Sequence, residues 1–374
     1  MRCNWAEEHV SVDQYGRFRP CCNWRYVGNE KALNFQDNNI DEYIHSEFKK
    51  NLIDTLEKDI WPKGCWSCQR AEEGGTQSIR QERINKPFKD MEIKFGNLCN
   101  LGCYMCTSDK SSVLYKTYSD MIESGLGDER IEEEVNYHES KTNMYVENSP
   151  WYDNPKKLQE LAEFASTRKR IRFTGGEPTV NTYLRNFLKT LSSINTDVDL
   201  RITTNGMTLT DSLLELLSKF SRVEMTFSLD AIGKYNEYLR WPSDWNKIES
   251  NFKKAKEHKN IHFDINTVVS VLNVHLLDDI IEWGSINNVD EHTFLPAHEP
   301  DILQPKLAYD WQKEIFAKTY EKWNKPQGRP RIRLDKCKNF VFMERDEELL
   351  QGSFNFLDRL DKQRNTDWRK VFKL

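Results

Sequence analysis

The 374-residue chain predicts an α/β fold, and two observations carry that expectation. From Met91 onward, short runs rich in β-branched and aromatic residues alternate with stretches of helical spacing, which is the rhythm of parallel βαβ units. Hydrophobic residues make up 38% of the chain and include 19 Phe, 14 Tyr and 11 Trp, enough to build sizeable cores and to exclude global disorder.

The elements follow in order. Glu8 to Asp13 alternates, Gln14-Tyr-Gly16 can turn, and Arg17 to Cys21 returns, which predicts a β-hairpin. Asp41 to Leu56 has helical spacing, and Trp61-Pro-Lys-Gly-Cys-Trp-Ser-Cys68 is a tight turn with two thiols. Strands are then expected at Met91–Phe95, Arg170–Thr174, Val198–Thr204, Arg222–Ser228, Ile261–Val269 and Glu291–Leu295. Helical patterns such as Asp211–Phe220 and His275–Trp283 separate several of them. Right-handed crossovers would close these units into a full or partial barrel or an open wound sheet. Residues 107–169 read as an insertion plus the first helix of the repeat, with Glu132–Glu134 on a solvated face. Beyond Ala297 the chain is charged, with a packing helix expected over Phe354–Leu360 and a surface connection at Lys325–Pro330.

The 54 basic and 59 acidic residues leave a net charge of −5, which argues against nucleic-acid binding through a broad basic surface. No run of about eighteen apolar residues is present, so no membrane span is expected. The opening MRCNWAEEHVSVDQYG has no apolar h-region, so a secretory signal is not expected and a reducing, cytoplasmic setting is. In that setting clustered thiols hold metal more often than they form disulfides, and eight of the nine cysteines fall within the first 106 residues.

The sharpest motif is Cys99-Asn-Leu-Gly-Cys103-Tyr-Met-Cys106, spaced C-x3-C-x2-C directly after a predicted strand. Three thiolates in one short loop cannot complete a tetrahedral zinc site or occupy all four corners of a cubane. They can hold three irons of a [4Fe–4S] cluster and leave the fourth open, at the strand end where an α/β barrel does its chemistry.

On these residues the chain resembles the radical SAM superfamily, over about residues 90–300. Phe173-Thr-Gly-Gly-Glu-Pro178 is similar to the family's GGE motif; the resemblance implies that Gly175, Gly176 and the Glu177 carboxylate grip the methionyl ammonium of S-adenosylmethionine (SAM). Ile202-Thr-Thr-Asn-Gly-Met207 resembles the third-strand segment, and Phe227-Ser-Leu-Asp230 the fourth, which implies that Ser228 and Asp230 lie near SAM's carboxylate and ribose. Arg240 is then a candidate guanidinium fork for that carboxylate. Asn266 in Asn266-Thr-Val-Val269 matches a strand residue that lies beside SAM, and Leu295 and Met105 fall where backbone contacts the adenine. Met105 stands where the family often has an aromatic residue. The resemblance implies a partial (β/α)6 TIM-like barrel in which SAM chelates the open iron and an electron breaks its S–C5′ bond. The resulting 5′-deoxyadenosyl radical abstracts hydrogen from a substrate.

Cys3, Cys21 or Cys22, Cys65 and Cys68 form a second four-thiol set that can enclose a [4Fe–4S] cluster or a zinc ion. Gly16-x4-Cys21 and Cys65-x2-Cys68 resemble the twitch module, a shortened SPASM domain, which implies one auxiliary [4Fe–4S] cluster with a role in electron transfer. Such modules usually follow the barrel; here the thiols precede it. Trp5, Trp24, Trp61 and Trp66 flank these thiols, as shields or as the core of a small domain, and Cys337 reads as a small buried hydrophobe.

The expected organisation is an auxiliary-cluster module over 1–88, a radical SAM barrel over 89–300 and a C-terminal extension over 301–374 packing on it. The auxiliary module points by analogy to a peptide or protein side chain as substrate, served by an electron donor such as flavodoxin or ferredoxin. The alternatives are a small-molecule substrate, nucleotide or cofactor precursor, and a non-catalytic SAM-binding iron–sulfur protein.

Overall fold

The computed structural model describes residues 1–27, 32–75, 77–83, 89–146, 149–324, 327–328 and 330–372. Within the expected surface connection, residues 325, 326 and 329 lie outside the described residues. The strands are β1 (Val10–Val12), β2 (Phe18–Arg19), β3 (Asp90–Lys94), β4 (Arg170–Thr174), β5 (Asp199–Thr204), β6 (Arg222–Ser228), β7 (Ile261–Val269), β8 (Glu291–Pro296) and β9 (Arg331–Arg333). Their order is β2-β1-β3-β4-β5-β6-β7-β8-β9, a mostly parallel sheet consistent with a partial TIM-like barrel. All six strands expected between residues 91 and 295 are present within a residue of their predicted ends.

The chain divides into two compact units. The first comprises Met1–Asn97, Glu139–Arg201 and Glu215–Arg222; the second comprises Leu98–His138, Ile202–Leu214 and Val223–Leu374.

In the first unit the predicted hairpin forms, with Val12 opposite Phe18. Its turn is held by the Asp13 carboxylate, whose Oδ1 accepts the N–H groups of Tyr15 and Arg17, each at 3.0 Å. Gly16 adopts φ +81°, and a Cβ there would lie 2.6 Å from the Asn34 side chain. The hairpin is not a separate sheet: β1 runs parallel to β3, with Ser11 opposite Glu92 and Glu92 opposite Arg172 of β4. Alternate residues Val10, Val12, Met91, Ile93, Ile171 and Phe173 are buried. Phe173 packs edge-on to Phe187, and Phe95 stacks on Trp151 at 5.5 Å. The helix expected over 41–56 is two helices, Ile40–Ile44 and Glu47–Glu57, because Ser46 stops the first and caps the second by accepting the Lys49 N–H. A smaller core gathers Ala6, Trp24, Leu52 and Leu56, with Cys3, Cys21 and Cys65 packed on it.

In the second unit, β7 shows strict in–out alternation, and β7, β8 and β9 are parallel. The core joins Tyr104, Leu114, Tyr118, Leu239, Phe356 and Leu360. It is built from the helix Ser112–Glu123 and from a C-terminal helix, Glu347–Arg364, much longer than the expected 354–360. The helix Glu129–Tyr145 keeps Glu132 and Glu133 exposed as expected, while Glu134 turns inward to accept the Ser108 N–H at 3.2 Å. Strand β9 carries no period-2 signal beyond Arg-Ile-Arg, in which Ile332 alone is buried, and the sequence does not announce it. Cys337 is fully buried in the core around Phe316 and Val341, as expected of a small hydrophobe. Among the described residues no helix is long and apolar enough to cross a membrane.

Candidate metal centres

The three-thiol loop belongs to the second unit and is pinned at nearly every residue. The Cys99 N–H donates to Ser112 Oγ at 3.1 Å, and the Ser111 hydroxyl donates to the Leu101 carbonyl at 2.6 Å. Gly102 N–H donates to the Trp241 carbonyl at 2.7 Å, Tyr104 N–H to the Leu239 carbonyl at 3.2 Å, and Cys106 N–H to the Cys103 carbonyl at 3.1 Å. The Tyr104 ring is fully buried, and its hydroxyl donates to Ser270. None of the three is in a disulfide; Cys103 is buried and Cys99 and Cys106 are half-buried. Burial pushes the Cys103 thiol up, against the pull of Arg240; burial and the neighbouring Cys103 push Cys106 up to about 12. Thiols in this setting stay protonated unless a metal takes the proton's place, which is the chemistry a cluster demands of its ligands. The donor set therefore fits three irons of a [4Fe–4S] cluster.

Two charged residues stand beside this loop. Arg240 grips Asp230 with Nε at 2.7 Å and Nη2 at 3.0 Å, and turns Nη1 toward Cys103 Sγ at 3.9 Å. Burial pushes the Asp230 carboxyl up and would lower the Arg240 guanidinium, but the facing carboxylate holds Arg240 above its ordinary value. We read the pair as ionised, because a guanidinium keeps its proton and the carboxylate facing it makes an ion pair to Nε and accepts one hydrogen bond from Nη2. Asp230 also accepts the Val268 N–H at 2.8 Å, and Asn273 donates to the Asp230 and Val268 carbonyls, both at 2.8 Å. Ser228 and Asn266 are register partners on β6 and β7. Leu295 on β8 is exposed, and Met105 packs half-buried on the Tyr104 core. Arg364, at the end of the C-terminal helix, donates to the Gly102 carbonyl of the loop. The sequence signals neither this residue nor Asn273: Asn273 lies outside any recognised motif, and Arg364 is one of many charges in the tail.

The Gly175–Glu177 segment belongs to the first unit, at the end of β4. Gly175 has φ +113°, and a Cβ there would meet the Gly96 carbonyl at 3.1 Å. Glu177 is buried, and its Oε1 accepts from Thr179 N–H at 3.0 Å and Thr179 Oγ1 at 2.7 Å.

Also in the first unit, Cys3, Cys21, Cys65 and Cys68 line one small recess that opens to solvent. Three separate stretches of chain deliver them. Cys3 precedes the helix Asn4–Glu8, Cys21 follows β2, and Cys65 precedes the helix Trp66–Glu73, which carries Cys68 in its first turn. Gly64 lets the Trp24 ring close on this turn, since a Cβ would lie 2.6 Å from it. Burial raises all four thiols, Cys65 to about 12. Arg80 lines the same recess, tied by Nε to Glu72 at 3.0 Å and by Nη1 to the Arg2 carbonyl at 2.9 Å. Cys22 does not line it. Its thiol donates toward Asn23 Oδ1 at 3.7 Å; burial first, then Glu92, push it up to about 11, while Arg172, Lys94 and Arg19 pull the other way. Trp5 and Trp24 are buried as core, whereas Trp66 is exposed. Among the described residues no three His, Cys, Asp or Glu side chains are drawn together tightly enough to hold a lone ion. The case for metal at either place rests on the donor sets and the recess.

A mostly parallel α/β sheet followed at its third strand by a three-thiol loop defines a cluster-binding α/β protein. The profile of the Radical SAM superfamily matches residues 93–284, and the chain belongs to that superfamily of enzymes. Membership brings a [4Fe–4S] cluster and SAM as cofactors. Among curated proteins the chain is 25% identical over 174 residues to a GTP 3′,8-cyclase of Microcystis aeruginosa (strain NIES-843 / IAM M-2473), covering 44% of this chain and 51% of that one. It is 28% identical over 156 residues to a GTP 3′,8-cyclase of Clostridium perfringens (strain 13 / Type A), covering 41% and 47%. The chain thus spans about half the length of these relatives. Among solved structures it is similar to native anSMEcpe with bound AdoMet and a Kp18Cys peptide, at a TM-score of 0.44 and 16% identity over 63% of this chain and 59% of that one.

Proposed function

We propose that this radical SAM protein cleaves SAM reductively and abstracts hydrogen from a peptide or protein side chain, with a second, auxiliary [4Fe–4S] cluster at its N-terminal thiols. The observation that supports the reaction is a single loop, Cys99–Cys106, that carries three cysteines outside any disulfide and not four. When bound, the cluster and SAM supply a 5′-deoxyadenosyl radical. Every other task falls to the chain.

Cys99, Cys103 and Cys106 bind three irons. Asp230, held by Arg240, and the adjacent Ser228 and Asn266 orient the carboxylate and ribose of SAM. Gly175 and Gly176 let backbone approach the methionyl group, and Glu177 accepts from its ammonium. Leu295 and Met105 flank the adenine, and the buried Tyr104 helps exclude water. With Arg240's fork given to Asp230, its remaining Nη1 serves the thiol side of the site. Cys3, Cys21, Cys65 and Cys68 hold the auxiliary cluster, which passes electrons. Cys21 takes the place that the sequence shares between Cys21 and Cys22, because Cys21 lines the recess. Residues 1–88 then act as the auxiliary module, 89–300 as the SAM barrel and 301–374 as an extension, with flavodoxin or ferredoxin as electron donor.

A nucleotide substrate is the second reading, favoured by the relatives named GTP 3′,8-cyclase. A triphosphate needs surplus cations, and on the polar face of β3 and β4 Lys94 and Arg172 already have carboxylate neighbours, Glu92 at 3.9 Å and Asp90 at 4.0 Å. The peptide reading therefore comes first. The test is incubation of reconstituted protein with SAM, dithionite and either deuterated candidate peptides or deuterated GTP. Deuterium in 5′-deoxyadenosine from peptide alone is the expected result; deuterium from GTP alone overturns the substrate assignment.

A further inference from the structure

The C-terminal helix Glu347–Arg364 ends at the three-thiol loop. Its last residue, Arg364, donates from Nη2 to the Gly102 carbonyl at 2.5 Å. The same guanidinium lies over the Trp241 ring at 4.9 Å, and the Trp241 carbonyl in turn accepts the Gly102 N–H. Gly102, between Leu101 and Cys103, is thus clamped on both sides. A Cβ here would stand 3.2 Å from Arg364 Nη2 and from Val113 Cγ1, so a side chain would press on the contact. Asn365, at φ +55°, turns the chain away immediately after the contact.

The charge count around Arg364 is unbalanced. Asp230, beside the loop, is gripped by Arg240. Asp361, three residues before Arg364, already accepts from Tyr238 Oη at 2.8 Å, Thr366 Oγ1 at 2.5 Å and Trp368 N–H at 2.5 Å, and Asp367, three residues after it, pairs with Lys370 at 3.2 Å. The other groups whose charge reaches Arg364 are Tyr118, Tyr238 and Cys103. Arg364 Nε is buried with no hydrogen-bond partner among the described residues. A guanidinium placed this way is costly unless an anion comes to it. Three thiolates around a [4Fe–4S] core leave a net negative charge, which grows by one on reduction.

We propose that Arg364, contributed by the C-terminal extension, is a positioning residue and counter-charge for the [4Fe–4S] cluster held by Cys99, Cys103 and Cys106. The inference rests on the assignment of those three thiols as the cluster ligands. It gives the extension a task that no motif in the sequence announces: fixing the thiol loop and favouring the reduced cluster.

The test is a potentiometric titration of the full-length, anaerobically reconstituted protein, following the electron paramagnetic resonance signal that responds to SAM. One electron from the mediator enters the cluster in each case. In Arg364→Gln the hydrogen bond to Gly102 can persist while the charge is gone. Its SAM-responsive signal is expected to reduce about tenfold less readily, about 59 mV more negative for a one-electron couple. Arg364→Lys keeps the charge but loses the planar fork, and its midpoint is expected to stay within about twofold of wild type even if iron retention falls. A folded Gln variant with the wild-type midpoint overturns the inference, as does a Lys variant shifted as far as the Gln variant is expected to be. A wild-type protein with no SAM-responsive signal at all overturns the ligand assignment together with the inference.

Discussion

The two thiol sets solve the same problem, keeping sulfur donors ready for metal, with opposite economies of sequence. In the second unit three thiols come from eight consecutive residues, and the loop is locked by backbone hydrogen bonds and by two guanidiniums, Arg240 and Arg364. In the first unit four thiols come from three stretches of chain spread over residues 3–68, and a small aromatic core brings them to one recess. The contiguous set gives up its fourth donor, and an open corner is what substrate chemistry requires. The dispersed set has four, enough to saturate a cubane, and the electron-transfer role proposed for it follows from that. The cations differ too. Arg80 is bound to Glu72, a carboxylate of its own, whereas Arg364 has none to itself.

The sharpest way to break this comparison is to remove one donor from each set. Cys103→Ala should cost about four irons per chain and lower 5′-deoxyadenosine formation by more than about a thousandfold, some 4 kcal/mol or more of barrier. Unchanged SAM cleavage would remove the loop from the mechanism. Cys65→Ala should also cost about four irons but leave SAM cleavage without substrate largely intact, with turnover of substrate falling about tenfold. Cys22→Ala is its control and should keep about eight irons, since Cys22 faces Glu92, Lys94 and Arg172 and not the recess. Loss of iron in the Cys22 variant would exchange the roles of the two neighbours. Iron and sulfide counts with zinc analysis read all three, and one zinc in place of the second four irons would replace the auxiliary cluster by a structural site.

How much of this was legible in the sequence follows from the range of the interactions involved. The Cys99–Cys106 loop and the strands β4, β6 and β7 were readable because each is a local pattern with a fixed period or spacing. The hairpin was readable from its alternation and Gly16, but not the pairing of β1 with β3, because the partner lies some eighty residues away and nothing local encodes it. The break at Ser46 was written in the sequence as a capping residue, and the apolar spacing of 41–56 masked it. The choice between Cys21 and Cys22 depends on which way two adjacent side chains turn after β2, which no local pattern encodes; Cys21 lines the recess and Cys22 does not. Arg364 could not be found at all: its meaning comes from Gly102, some 260 residues earlier.

The smallest expected effect separates the stability of the second unit from its chemistry. His292 on β8 is fully buried, stacked on Phe294, with Nε2 2.8 Å from Thr267 Oγ1. Burial lowers its pKa from 6.5 to about 3. The unfolded chain therefore takes up a proton as the pH falls through 6.5 while the folded chain does not follow until about 3. Stability is thus unaffected above about pH 6.5 and falls with acid below it, by up to about 1.4 kcal/mol per pH unit for this one group. His275, lowered to about 4 by burial in the same unit, adds a second slope of the same sign over a narrower range. Replacing the imidazole by a group that does not titrate should remove one of the two. In His292→Asn the difference in unfolding free energy between pH 6 and pH 4.5 should shrink by about 2 kcal/mol relative to wild type, read by urea denaturation followed through tryptophan fluorescence. An unchanged slope would mean that His292 is protonated in the folded protein, and a charge would then have to be accommodated beside Phe294 where the packing offers it only a hydroxyl.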